Sequence, residues 1–238
     1  GPRGVGKTTL ARLLAKTINC ETYEKQTKGK GSIEPCNTCK TCLEITKGAA
    51  LDVVEIDAAS HTGVDNVREQ IIERIRFAPS GCENKIFIID EVHMLSTSAF
   101  NALLKTLEEP PAHVIFILAT TEVHKVPETI VSRCQRYDFK RVNTSGLVKR
   151  LKMISAKEGI SIDDEVLSEL SRHSDGCVRD AESLLGQIFA LGEKHITLEQ
   201  ASLVLPATNT AMIVDFVEAL SRQDAPAAVR LVNEYVEQ

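Results

Sequence analysis

The residues best placed to do chemistry open the chain: Gly1-Pro-Arg-Gly4-Val5-Gly6-Lys7-Thr8-Thr9. They fit the pattern G-x4-G-K-[ST], in which backbone N–H groups of a glycine-rich loop point at phosphate oxygens, a lysine reaches the outer phosphates and a hydroxyl takes Mg²⁺. A second candidate group is Ile86-Phe-Ile-Ile-Asp90-Glu91, an apolar run ending in two acids. At the C-terminal edge of a parallel sheet, Asp90 can enter a Mg²⁺ shell and Glu91 can orient or deprotonate a water that attacks a γ-phosphate. Two acids at a strand end can equally be structural. Coupled to a phosphate loop, they make nucleotide hydrolysis the leading expectation.

A third group is sulfur. Cys36, Cys39 and Cys42 stand two residues apart in a polar, Lys- and Gly-rich stretch, unlike a secreted disulfide framework. Such a run folds into knuckles that gather thiolates, and a tetrahedral zinc site needs one more ligand, for which Cys20 is preferred over His61. An iron–sulfur site would be expected to carry a further Cys followed by Pro nearby, and Leu43 to Gly48 contains neither, so zinc is preferred over iron–sulfur and over plain reduced thiols. With four thiolates the shell would be closed and the metal structural. Cys82, Cys134 and Cys177 are isolated and read as small buried or surface thiols. Lys25, Lys28 and Lys30 read as a solvated face rather than a DNA site.

These groups need elements to hold them. Leu10, Leu13, Leu14 and Ile18 recur at helical spacing, which predicts an amphipathic helix over 7–18 directly after the glycine loop. Residues 21–48 form an insertion. Three short runs, 51–56, 85–90 and 113–118, are rich in Val, Ile and Phe, and the last two are too continuously apolar for a strand with one wet face. They predict central parallel strands. Helical patterns separate them, at Val64, Val67, Ile71 and Ile75, and at Phe100, Leu103, Leu104 and Leu107 before Pro110-Pro111. Strands alternating with helices imply a doubly wound α/β layer. From about Asn143 the strand signal fades and periodic apolar positions predict helices over 145–159, 163–173, 178–191 and 197–204. Pro206 to Thr210 reads as a linker, and two helical patterns broken around Asp224 to Pro226 complete the chain.

Composition narrows the classes. The chain has 238 residues, 43% hydrophobic and 26% charged, with a formal net charge of −5. It can bury a sizeable core, and it lacks the overall basic surface that binds nucleic acid by charge alone. Its longest apolar run, Val114 to Ala119, is far short of the roughly 18 residues of a membrane span, so a soluble, cytoplasmic protein is expected.

Thr121 follows the third strand, where it could face the crevice or simply close a turn. Arg133 alone would pass as a solvated arginine. Arg179 opens a helix, where a cation gains nothing from the helix dipole.

Four strings carry a specific likeness: Glu55-Ile-Asp-Ala-Ala-Ser-His-Thr-Gly-Val-Asp-Asn-Val-Arg-Glu69, Asp90-Glu-Val-His-Met94, Leu104-Lys-Thr-Leu-Glu-Glu-Pro-Pro111 and Ser132-Arg-Cys134. Together they resemble, over nearly the whole chain, the gamma/tau clamp-loader subunits of bacterial DNA polymerase III, a branch of the AAA+ ATPases. The resemblance implies an AAA+ P-loop α/β domain over 1–142, with a zinc module at about 20–48 held by Cys20, Cys36, Cys39 and Cys42. A small all-α lid over 143–206 and the start of a helical collar over 207–238 would follow. It implies Lys7 and Thr8 as Walker A, with Gly4, Val5, Gly6 and Thr9 also touching nucleotide, and Asp90 and Glu91 as Walker B. Thr121 would be sensor 1, Arg179 sensor 2, and Arg133 an arginine finger acting on ATP in a neighbouring subunit.

The implied activity is ATP hydrolysis with Mg²⁺ that loads a sliding clamp onto primer–template DNA, within a hetero-oligomer belonging to a polymerase (nucleotidyltransferase) holoenzyme. The family carries residues before the phosphate loop that supply a first strand and part of the adenine pocket, so the likeness implies a fragment truncated at both ends. A non-hydrolysing, delta-prime-like scaffold and a P-loop phosphotransferase are the alternatives; Glu91 and Arg133 weigh against the first, and the lack of an acceptor-binding pattern against the second.

Overall fold

The computed structural model describes residues 1–22, 34–60, 62–205 and 210–236. Lys25, Lys28, Lys30, His61 and the stretch 206–209 of the expected linker lie outside them; Thr210 already opens a helix. Among the described residues no helix is long and apolar enough to cross a membrane.

The chain divides into two compact units, residues 1–147 with 174–180, and residues 148–173 with 181–238. In the first, strands β1 (Val53–Asp57), β2 (Lys85–Asp90) and β3 (Val114–Leu118) form a parallel sheet in the order β1-β2-β3. Continuous apolar character has the meaning expected of it: β2 lies between two partners and is buried from Lys85 through Ile89.

Alternation along β2 then assigns the two faces. Ile86 and Ile88 point to the face covered by helix α1 (Lys7–Ile18), where they meet Ala11 and Ala15. Phe87 and Ile89 point the other way, into a larger core with Val54, Ile56, Val67, Ile71, Phe100 and Leu103. Helices thus cover both faces, and the doubly wound expectation is met.

Helix α1 has the predicted limits but only part of the predicted inner face. Leu10, Leu13 and Leu14 are 50%, 42% and 45% exposed, whereas Ala11 and Ala15 are buried on the sheet. Ile18 packs against the same isoleucines at the end of the helix, so the inner face is two alanines and one isoleucine, a pattern that the periodicity of leucines does not register. Arg12 reaches from the same helix to Glu55 of β1 with two bonds of 2.7 and 2.6 Å. The end of α1 is pinned to the entrance of β2 by a reciprocal pair, Asn19 Nδ2 donating to the Asn84 carbonyl and Asn84 N–H to Asn19 Oδ1, both 2.9 Å.

The helical pattern over 64–75 is present but irregular: Val64–Val67 and Glu73–Ile75 are α-helical and flank a π-turn at Arg68–Ile72. The helix Thr97–Glu108 begins where Ser96 accepts the Ala99 N–H at 3.2 Å, an N-cap.

The second unit is helical, with Leu151, Val166, Leu167, Leu170, Leu185 and Ile188 buried. It has one addition to the expected helices, a two-residue parallel pair in which Ser161–Ile162 aligns with His195–Ile196. Strands that short carry one apolar residue each, too little to register as alternation. The helices Thr210–Ser221 and Ala225–Val236 lie against each other after the expected break.

One anchor at the foot of β1 lends itself to a test. Asp52 is 3% exposed and its carboxylate accepts the N–H groups of Ser80, Gly81 and Cys82 at 3.0, 2.7 and 3.0 Å. Burial pushes this carboxyl up, but the Gly81, Ser80 and Cys82 amides, with help from Lys85, outweigh it and hold the carboxyl below its ordinary value. A folded-state value below the unfolded one means stabilisation that is full above the unfolded pKa of about 3.9 and is lost as pH falls toward the folded value. Asp52→Ala is therefore expected to cost about 1–3 kcal/mol at pH 7, through three amides left unpaired. Denaturant titrations should show the gap to wild type closing below about pH 4.

Candidate nucleotide site and cysteine cluster

The site follows from the alternation of β2. Counting on from Ile86 and Ile88, Asp90 is the next residue to face α1, and the first turn of α1 carries Thr8. The two meet: the Thr8 hydroxyl donates to Asp90 Oδ2 at 2.6 Å. A hydroxyl and a carboxylate oxygen held together are hard oxygen donors of the kind Mg²⁺ takes. The other Asp90 oxygen accepts the Glu91 N–H at 3.0 Å.

At Glu91 the chain leaves the sheet through a left-handed backbone, φ 45° and ψ 45°, uncommon for a residue with a Cβ. Glu91 Oε2 accepts from both the N–H and the hydroxyl of Thr121, at 3.0 and 2.9 Å. Thr8, Asp90, Glu91 and Thr121 therefore form one hydrogen-bonded row along the ends of β2 and β3.

The loop ahead of α1 has the backbone a phosphate cradle requires. Gly4 and Gly6 have φ of 65° and 90°, and Gly6 is the residue before the first helical turn. Val5 is half-buried between them, and Thr9 is exposed on the first turn of α1. Lys7 Nζ donates to the Gly1 and Pro2 carbonyls at 3.1 and 2.7 Å, so the ammonium is folded over the loop itself.

The start of the helix Val178–Phe189 also meets the loop: the N–H groups of Val178 and Arg179 both donate to the Gly4 carbonyl, at 3.0 and 3.3 Å. Arg133 is elsewhere. Its guanidinium donates to the Thr129 carbonyl at 2.6 Å and to Glu108 at 2.5 Å, and none of its described bonds goes to the Thr8–Asp90–Glu91 row.

Two side chains that the sequence signals do not single out, His93 and Glu122, also belong to the site. His93 Nδ1 lies 2.9 Å from Thr120 Oγ1 and 3.3 Å from Glu91 Oε2, and its Nε2 lies 3.1 Å from Glu122 Oε2. A histidine in a three-residue turn has no periodicity to announce it; its place beside two acids that follow different strands exists only in three dimensions.

The four cysteines of the insertion are gathered as expected. Sγ atoms of Cys20, Cys36, Cys39 and Cys42 all lie within 4.8 Å of one another, and Cys36 and Cys42 are 3.9 Å apart. A tetrahedral zinc with Zn–S near 2.3 Å requires sulfurs about 3.8 Å apart, so the set is compatible with that ion. Amides already point at the sulfurs, Cys39 N–H to Cys36 at 3.3 Å and Cys42 N–H to Cys39 at 3.4 Å, the knuckle geometry that a C-x2-C run adopts. The Thr22 hydroxyl and the Thr38 and Cys39 amides hold the Cys36 thiol down to about 5, while burial pushes Cys42 up to about 12. Glu21 ties the halves of the insertion together by accepting the Thr41 N–H and hydroxyl at 3.2 and 2.8 Å.

In fold, the chain is similar to the Thermotoga maritima RuvB Holliday junction branch migration motor, with a TM-score of 0.59 over 86% of this chain and 58% of that one, at 15% identity. Fold and phosphate loop together define a P-loop α/β protein.

The family profile described as "DNA polymerase III, delta subunit" matches residues 1–143, and "DNA polymerase III clamp loader subunit, ATPase lid domain" matches residues 147–194. DNA polymerase III subunit tau of Bacillus subtilis is 46% identical over 100% of this chain and 41% of its own length. The Escherichia coli tau subunit is 42% identical over 98% of this chain and 35% of its own. A gamma subunit from Buchnera aphidicola subsp. Acyrthosiphon pisum is 42% identical over 98% of this chain and 62% of its own. The chain belongs to the gamma/tau family of DNA polymerase III clamp-loader subunits. It spans less than two thirds of the length of these relatives.

Gly4 gives the loop geometry a direct test. A Cβ at this position would fall 2.1 Å from Cys177 Sγ, and φ of +65° is itself unfavourable for alanine. Gly4→Ala is expected to lower the melting temperature by several degrees, from a cost of roughly 1–3 kcal/mol, whereas Gly6→Ala, with no atom within 4 Å of the added carbon, carries only the backbone cost. Equal melting points for the two variants would contradict this account of the loop.

Proposed function

We propose that this chain is the ATP-hydrolysing part of a clamp loader. ATP binding at the phosphate loop closes subunits of a hetero-oligomer, the assembly opens a sliding clamp and grips primer–template DNA, and hydrolysis releases the clamp around the DNA during cytoplasmic replication. Different affinities of the ATP and ADP states drive such a cycle. Residues 1–142 are then the nucleotide-binding domain, 143–206 the lid and 207–238 the start of the collar. The observation that carries the reading is the 2.6 Å bond from Thr8 to Asp90, with the neighbouring Glu91 tied to Thr121.

Each residue then has a role. Backbone amides from Gly4 to Thr9 receive phosphate oxygens at the N-terminus of α1. Lys7 exchanges the neutral carbonyls of Gly1 and Pro2 for anionic outer-phosphate oxygens, which are stronger acceptors. Thr8 and Asp90 would hold Mg²⁺, which would supply charge neutralisation at those phosphates. Glu91 receives a proton from the attacking water, and Thr121 holds Glu91 in place. Arg179, beside the loop, contributes positive charge from the lid. Arg133 acts in trans, leaving Glu108 for the γ-phosphate of a neighbouring subunit, so hydrolysis depends on assembly and isolated chains turn over poorly.

The four thiols support zinc in a closed, structural shell rather than at a site open to water. Metal analysis of purified protein is expected to return one zinc per chain, with Cys42→Ser losing both the metal and thermal stability. Iron, or no metal, would overturn this part of the reading.

The decisive measurement is ATP turnover by the full-length subunit in its reconstituted complex, stimulated by clamp and primed DNA. Lys7→Ala is expected to lower it by about two orders of magnitude. Unchanged turnover would instead support a non-hydrolysing scaffold, and stimulation by a small acceptor in place of clamp and DNA would support a phosphotransferase.

A further inference from the structure

We propose that His93 is a positioning residue for hydrolysis, held by Glu122 and in turn holding Glu91. The inference rests on the reading of Glu91 as the group that activates water.

Glu91 sits at a left-handed backbone position, so its carboxylate is not aimed by a regular strand or helix and needs side-chain restraint. All its described side-chain contacts converge on one oxygen. Oε2 takes the Thr121 N–H and hydroxyl and lies 3.3 Å from His93 Nδ1. Oε1 takes no hydrogen bond among the described residues, which makes it the oxygen available to a water.

His93 is well fixed for this task. Its side chain is 6% exposed, and it lies in the turn Val92–Met94, where the Met94 N–H donates back to the Glu91 carbonyl at 2.8 Å. The carboxylates of Glu122 and Glu91 can only accept, so the approaches to Nε2 at 3.1 Å and to Nδ1 at 3.3 Å both hold when each ring nitrogen carries a hydrogen, and Glu122 then fixes the ring from its far side. Thr120 adds a third hold: its Oγ1 lies 2.9 Å from Nδ1 and accepts the Glu122 N–H at 3.0 Å.

A row thus runs Glu122, His93, Glu91 between the ends of β2 and β3. Its outer member is anchored by Lys125 at 2.7 Å, with His124 at 3.8 Å. Packing alone does not call for it: a buried imidazole costs stability unless both nitrogens find partners, and an apolar side chain would fill the space without that demand. What the row provides is a single rotamer for Glu91, and a misplaced catalytic group costs rate rather than binding.

The test uses the full-length subunit in its assembled complex, with His93→Ala, Glu122→Ala and the double variant. Each single change is expected to lower kcat about tenfold with KM for ATP within twofold of wild type, and the double variant to be no slower than the slower single one, because both act through the same carboxylate. His93→Asn, whose amide can donate near the Nδ1 position, is expected to recover part of the loss. Wild-type kcat in either single variant, independent losses that multiply in the double, or an effect on KM instead of kcat would overturn the proposal. Glu122 is partly exposed, so Glu122→Ala and its melting temperature carry the test even where His93→Ala does not fold. Glu91→Gln, measured in parallel, separates the two layers: unchanged turnover there defeats the reading of Glu91, whereas loss there with normal His93→Ala turnover defeats only the role of His93.

Discussion

The site depends on the burial of one strand, β2, from Lys85 through Ile89. With β1 and β3 hydrogen-bonded to its two edges and apolar side chains packed on both faces, β2 is held in one register. A one-residue slip would exchange Ile86 and Ile88 for Phe87 and Ile89 on the face of α1, and would turn Asp90 away from Thr8. The position of a polar hydrogen bond at the strand end is therefore set by apolar packing several residues earlier. The stacked rings of Phe87 and Phe116, 5.5 Å apart, reinforce the same register between β2 and β3.

Polar contacts refine what that packing sets. Asp52 gathers three amides at the foot of β1, Arg12 holds α1 to Glu55, and Asn19 and Asn84 close the far end of α1 against β2. Among the described residues no buried side-chain nitrogen or oxygen lacks a partner, so these bonds are satisfied anchors rather than strained ones. The row Thr8, Asp90, Glu91 and Thr121 is built in the same way, with the difference that its members sit where strands end and a ligand can reach them.

Much of this was legible in the sequence because the relevant signals are local. Glycines at fixed spacing before Lys7 and Thr8 describe a backbone shape, and unbroken apolar runs at 85–90 and 113–118 describe strands buried on two faces. Cysteines at two-residue spacing describe a knuckle. The signals failed where the outcome depended on what lay opposite. Apolar periodicity located α1 but gave its inner face only in part: Ile18 packs on the sheet beside Ala11 and Ala15, while Leu10, Leu13 and Leu14 stay exposed. Ser161–Ile162 and His195–Ile196 are too short to alternate. The partner of Arg133 is Glu108, twenty-five positions away in sequence, and His93 gains its contacts only when β2 and β3 stand side by side.

The alanines under α1 also act as a spacer. Because the helix that begins at the phosphate loop rests on the sheet through Ala11 and Ala15, the gap between Thr8 and Asp90 is gauged by the thickness of a methyl group. An extra carbon or two at either position would act as a shim, lifting the loop and its hydroxyl off the acid at the strand end while leaving every residue of the site intact. Tolerance to substitution in this chain is thus set by distance from the plane of the sheet as well as by distance from the nucleotide, and two unremarkable small side chains become part of the machine's calibration.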